Sequence, residues 1–212
     1  MSTQEIPCGV ENVVFDFGGV LVDWNPRPTL DGLYPDGVVD MFFDRSDEWG
    51  FWRYNDLSDL GWSDEKILAD YEHTHGPAVA WVYRQYFAHY RQAIQGMIPG
   101  MGELIEALKS QGIHVWGLTN STGKYVDAIL DAFEPIRALE GIVISAEERL
   151  HKPDPLLFQV MLRRFMIEAR STVFVDDNPS NVKAAQDQGM RAIAFTGADQ
   201  CRTQLAQYGL IV

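Results

Sequence analysis

Asp16 ends the apolar run Asn12-Val13-Val14-Phe15 and is followed at once by Phe17-Gly18-Gly19, which reads as a strand buried on both faces entering a tight turn. Three further polar groups stand in the same relation to an apolar run. Thr119-Asn120-Ser121 follows Ile113 to Leu118, Lys152-Pro153-Asp154 lies between the run Gly141 to Ile144 and the next helical pattern, and Asp176-Asp177-Asn178 follows Thr172 to Val175. If the runs are strands of one parallel sheet, all four groups lie at carboxyl ends, where such sheets bind ligands. Two carboxylates, a hydroxyl beside an amide, and a lysine meeting on one rim suit a phosphate and a divalent cation.

A carboxylate attacks phosphorus only if its repulsion from the phosphate is cancelled, since two like charges about 4 Å apart at an effective dielectric of 20 cost about 4 kcal/mol. Mg2+, a hard octahedral ion held by one or two carboxylates, meets that need. Its protein ligands are expected to be Asp16, Asp177 and the backbone carbonyl of Gly18. Lys152 is expected to neutralise Asp16 and to bind the transferring phosphoryl group, with Thr119 and Asn120 contacting its oxygens. Asp16 is the expected nucleophile. Asp176 is as readily a supporting or capping group as a ligand, and Asn181 as readily a helix-face amide as one that orients a ligand.

These groups must be positioned by the elements around them. Five apolar runs, the last from Arg191 to Phe195, alternate with helical patterns at Met101 to Ser110, Gly123 to Phe133, Asp154 to Met166 and Pro179 to Gln188. Strand alternating with helix predicts an α/β fold, a Rossmann-like parallel sheet flanked by helices. The interval from Trp24 to about Ile98 breaks the rhythm: it has no strand-like run and is dense in aromatics and helix-compatible stretches such as Glu65 to Glu72 and Val79 to Ala93. It reads as an all-helical cap, residues 24–97, inserted into a core of residues 1–23 and 98–212. Trp49, Trp52, Trp62 and Trp81 are expected mostly in its interior.

With 46% hydrophobic and 22% charged residues over 212 positions, the chain has an ordinary globular composition and room for one sizeable core. Thirty acidic residues against seventeen basic ones give a net charge of −13, which disfavours nucleic acid and anionic membranes as partners. Cys8 and Cys201 lack metal-ligand spacing and read as reduced thiols. The five histidines show no ligand spacing either. No targeting pattern and no membrane-length apolar run occurs, so a cytoplasmic enzyme is expected, acting as a monomer or homodimer on a small phosphorylated metabolite.

The same residues resemble the haloacid dehalogenase-like hydrolase superfamily along nearly the whole chain. Phe15-Asp16-Phe17-Gly18-Gly19-Val20 is similar to its nucleophile motif, Leu118-Thr119-Asn120 to its phosphate-binding motif, Lys152-Pro153 to its lysine motif, and Phe174-Val175-Asp176-Asp177-Asn178 to its acidic metal motif, in the family's order. An insertion after the first motif resembles the family's first cap class, which implies a small substrate enclosed between cap and core. The Asp-Asp pair followed by Asn181 resembles the branch of bacterial sugar-phosphate phosphatases and the N-terminal phosphatase domain of soluble epoxide hydrolases. The resemblance implies a magnesium-dependent phosphatase, with a sugar phosphate among its candidate substrates, that acts through an aspartyl-phosphate on Asp16. In one respect the chain departs from the pattern: most phosphatases of the superfamily carry a general-acid aspartate where Gly18 stands. Asp23, close in sequence, is a candidate substitute. A haloacid dehalogenase using Asp16 and Lys152, and a non-hydrolytic phosphate-binding protein, are the alternative readings.

Overall fold

The computed structural model describes residues 9–211; Cys8 lies outside them. Strand β1 (Asn12–Phe15) is buried along its whole length because it is the central strand of a five-stranded parallel sheet. The order across the sheet is β5 (Ile142–Ile144), β4 (His114–Thr119), β1, β6 (Thr172–Asp176) and β7 (Arg191–Ala194), where β2 and β3 denote the separate pair described below. Phe15 is in register with Gly117 on one side and Val175 on the other. All five expected strands are present. The alternation of side chains along β1 feeds two cores. Val13 and Phe15 point into a cluster with Leu104, Ile105, Val126 and Leu205, while Val14 joins Phe158, Met161 and Phe174 on the opposite face.

Between β1 and β4 the chain leaves the sheet. It passes through β2 (Val22–Trp24), four helices, α1 (Asp36–Phe42), α2 (Phe51–Asp59), α3 (Asp64–His75) and α4 (Pro77–Ala88), and returns through β3 (Ile94–Met97). The remaining helices are α5 (Met101–Ser110), α6 (Gly123–Ala132), α7 (Ser145–Glu148), α8 (Pro155–Phe165), α9 (Pro179–Asp187) and α10 (Ala198–Gln207). Helices α5, α6 and α10 cover one sheet face, and α8 and α9 cover the other. Their starts follow local chemistry: Asp154 Oδ1 accepts the Leu156 N–H at 2.8 Å and Asn178 Oδ1 accepts the Ser180 N–H at 2.9 Å, each ahead of a proline in the first turn.

Two expectations for the inserted stretch are corrected. Ile94–Met97 is a strand, paired antiparallel with Val22–Trp24, so the interval is not wholly helical. The outgoing and returning chains cross between layers side by side and satisfy each other's backbone groups, a tertiary cause that the pattern Ile-Gln-Gly-Met does not advertise. The tryptophans are not its interior either. Trp49 and Trp81 are each 57% exposed and Trp52 and Trp62 half-buried, because phenylalanines and tyrosines fill the middle. Phe51 meets Tyr86 edge to face at 4.8 Å between ring centroids, and Tyr71 meets Tyr83 in the same way at 4.8 Å. Trp49 instead carries the Arg53 guanidinium over its ring at 4.4 Å, and Trp62 the Lys66 ammonium at 3.5 Å.

Candidate active site

Asp16 is the first residue beyond β1. Its backbone N–H still donates to Val175 O at 2.9 Å, so the sheet fixes its Cα, while the Phe17 N–H donates to Asp16 Oδ1 at 2.7 Å. The turn that follows brings Gly19, at φ +78°, against Asp177. A Cβ on Gly19 would lie 2.5 Å from Asp177 Oδ2, so only glycine lets the two strand ends approach this closely.

Lys152 reaches the same place from the loop after α7. The Asn120 side chain clips that loop to the end of β4, donating from Nδ2 to Lys152 O at 2.9 Å and accepting the Lys152 N–H on Oδ1 at 2.8 Å. The lysine is buried, and its Nζ lies 2.7 Å from Asp16 Oδ1, 2.8 Å from Asp176 Oδ2 and 3.0 Å from Leu118 O. An ammonium has three N–H groups, and here each faces a protein acceptor. Lys152 thus holds Asp16 and Asp176 together, and the Asn120 side-chain amide is engaged with the lysine loop.

Asp176 is fully buried and saturated by its own chain, accepting from Lys152, from the Asn178 N–H at 2.8 Å and from Asn181 Nδ2 at 3.0 Å. It supports the site from beneath. Asp177 is exposed and turned towards the cavity. Asp16, Asp176 and Asp177 each offer one carboxylate oxygen within 4.8 Å of the others. Burial, reinforced by Asp176, raises Asp16 against the opposing pull of Lys152, and burial followed by Asp176 raises Asp177. Burial works to lower Lys152, but Asp16 and Asp176 together outweigh it and hold the ammonium charged.

Three carboxylates around one lysine leave an excess of negative charge that a hard cation would relieve, and the donors are of the type magnesium takes. The bare Gly19 Cα supplies the room beside Asp177, and Asn181 Oδ1, buried with no protein partner, adds an acceptor on the same wall. The residues present therefore fit such an ion.

These groups border a cavity of about 190 Å³ between the strand ends and the inserted helices. Asp16, Gly18, Thr119, Asn120, Lys152 and Asp177 line it together with Asn181. Asp23 does not. The two-residue alternation of β2 turns its neighbours Val22 and Trp24 to the cavity and leaves Asp23 exposed on the opposite face. Ile94 and Ile129 complete an apolar wall.

Sequence reasoning missed two polar residues that the inserted helices contribute, Asn55 and Asp59 of α2. Burial first, then Asp56 and Asp16, push the Asp59 carboxyl up to about 8 against the opposing effect of Lys152. One signal was available: an acid in the last turn of a helix faces the negative end of its dipole, a placement that stability alone disfavours.

Parallel strands whose carboxyl ends carry a buried lysine between carboxylates, beneath helices that enclose a cavity, define an α/β enzyme of Rossmann-like class. The chain belongs to the haloacid dehalogenase-like hydrolases, whose family model matches residues 57–195, more than half of its length. It is 28% identical over 186 residues to the sesquiterpene phosphatase astK of Aspergillus oryzae, covering 86% of this chain and 88% of the relative. It is 28% identical over 104 residues to phosphoglycolate phosphatase 1 of Pseudomonas aeruginosa, covering 49% and 38%. A HAD family enzyme from Bacteroides thetaiotaomicron, solved in complex with magnesium and inorganic phosphate, superposes with a TM-score of 0.69 at 19% identity, covering 89% of this chain and 96% of that one. That likeness carries the fold. Among the described residues no helix is long and apolar enough to cross a membrane.

Proposed function

We propose that the chain hydrolyses a small organic phosphate monoester by way of an aspartyl-phosphate on Asp16. The observation that carries this reading is the buried Asp16 carboxylate, gripped by Lys152 at 2.7 Å, bordering a cavity with Asp177 close enough to share a cation. The phosphatase relatives and the magnesium- and phosphate-bound structural neighbour support it.

Asp16, Asp177 and the Gly18 carbonyl would hold magnesium, which supplies positive charge that offsets repulsion between the attacking carboxylate and the phosphate. Lys152 opposes the effect of burial and favours the ionised form of Asp16, holding Oδ1 so that the other oxygen is left for attack. Asp176, with Asn181, fixes Lys152 in turn. Thr119, buried at the end of β4, contacts a phosphoryl oxygen. Residues 24–97 act as the cap that selects the organic group. Val22, Trp24, Ile94 and Ile129 favour a compact, partly apolar one, and Asn55 and Asp59 supply polar contact.

Wild-type protein is expected to release inorganic phosphate from an aryl phosphate with magnesium, to stop when the metal is chelated, and to lose at least 10³-fold in rate in Asp16→Asn, which lacks the nucleophile. Halide release from a 2-haloacid in place of phosphate release would assign the dehalogenase reaction instead. Binding of phosphate without turnover of any ester would leave a non-hydrolytic protein.

A further inference from the structure

We propose that Asp59, carried by an inserted helix rather than by the sheet, is the general acid that protonates the leaving oxygen during ester cleavage. This rests on the phosphatase reading above.

The candidates are few. A phosphate ester with an alkyl leaving group needs a proton on its bridging oxygen as the P–O bond breaks, because an alkoxide is otherwise a very poor leaving group. The donor must border the cavity and hold a proton near neutral pH. Asp16 is committed to attack and Asp177 to the cation. Lys152 has its three N–H groups directed at Asp16, Asp176 and Leu118 O. The Tyr125 hydroxyl is bonded to that of Tyr86, and burial holds it well above the usual phenol range. Asp59 remains, and it meets both conditions.

Its surroundings keep the proton on. Asp56 and Asp16 favour its protonated form, with Lys152 the one opposing cation among the groups that act on it. The carbonyl end of α2 adds partial negative charge at the same point. Asn55, one turn earlier, steadies the carboxyl through a long contact of 3.4 Å from Nδ2 to Oδ2.

The steps balance. An Asp16 oxygen forms a bond to phosphorus while the bond from phosphorus to the bridging oxygen breaks, its electron pair staying on that oxygen, which takes the Asp59 proton and departs as the alcohol. Asp59, now a carboxylate, then accepts a proton from water as the water oxygen attacks phosphorus. The bond to Asp16 breaks with its electrons returning to the aspartate, inorganic phosphate leaves, and Asp59 is again protonated.

The test compares wild type and Asp59→Asn on two esters, an alkyl phosphate and 2,4-dinitrophenyl phosphate, whose leaving group needs no proton. Read as kcat/KM, which reports events through P–O cleavage, the variant is expected to lose about 10² to 10⁴-fold on the alkyl ester and less than about 10-fold on the aryl ester. With the aryl ester it should also show a burst of dinitrophenolate ahead of slow turnover, because hydrolysis of the phosphoenzyme has lost its base. Equal losses on both esters, or no loss on either, overturn the proposal. If wild type turns over and Asp16→Asn does not while Asp59→Asn behaves as wild type, the phosphatase reading survives and only the role of Asp59 falls. If wild type cleaves neither ester, both fall. Asp59→Asn keeps the shape of the side chain, and Asp59→Ala gives the same comparison should the amide perturb folding.

Discussion

A methyl group added to Gly19 would collide with the carboxylate of Asp177. The new Cβ would stand 2.5 Å from Asp177 Oδ2 and 2.8 Å from Cγ, where ordinary contact begins near 3.4 Å. Asp177 is exposed and can swing away at little cost, so Oδ2 retreats by roughly 0.9 Å, far outside the ±0.2 Å tolerance of a built metal site. Backbone strain is separate: a non-glycine residue at φ +78° costs about 1–2 kcal/mol. For a chain of this length that lowers Tm by about 2–8 °C. Gly19→Ala is therefore expected to fold, to need at least about 10-fold more magnesium for half-maximal phosphate release, and to recover much of its rate at saturating magnesium. The assay is a magnesium titration of phosphate release from an aryl phosphate, run beside thermal melts with and without the metal. A variant that melts lower yet keeps the wild-type magnesium requirement would refute the claim that Asp177 holds the ion beside this turn.

Lys152→Met leaves Asp16 and Asp176 buried together without their cation, which is expected to cost about 3–5 kcal/mol in urea unfolding besides abolishing turnover; a loss under 1 kcal/mol would mean that the pair is not desolvated as described. Stability should also depend on pH through Asp59. Its folded carboxyl, raised from 3.8 to about 8, keeps a proton that the unfolded chain has lost, so this stabilisation is full below about 3.8 and vanishes as pH rises through about 8. Unfolding free energies of wild type and Asp59→Asn at pH 5 and pH 9 should accordingly differ in slope, wild type falling more steeply, and parallel slopes would show that Asp59 is solvated and ordinary.

Legibility in the sequence followed the locality of the cause. Asp16, Thr119 and Asp177 stand out because each directly follows, or closely trails, an apolar run that forms an inner strand, and the topology of parallel sheets turns that position into a place in space; Lys152, beyond the edge strand and α7, stands out as a lysine ahead of a proline-initiated helix. What these residues do to one another was less visible. That Asp176 is locked beneath the site while Asp177 opens onto it depends on Lys152 and Asn181 arriving from elsewhere, and adjacent acids carry no mark of which is which. Asp23 looked suitable by nearness along the chain, but the pleat of β2 turns it the wrong way. Asp59 and Asn55 follow no apolar run, and beyond the misplaced acid at the end of α2 nothing local marks them; only the packing of that helix brings them to the cavity.

The two sides of that cavity are rooted in different apolar clusters. Phe51, Tyr54, Tyr71 and Tyr83 anchor the helices that carry Asn55 and Asp59, while Val13, Phe15, Val115 and Val173 anchor the strand ends. Substitutions with no shared neighbours add nearly independently in free energy. Lineages descended from a chain of this kind can therefore diversify in what they accept by drifting on one cluster alone, while the reacting groups rest on a foundation that the drift leaves intact.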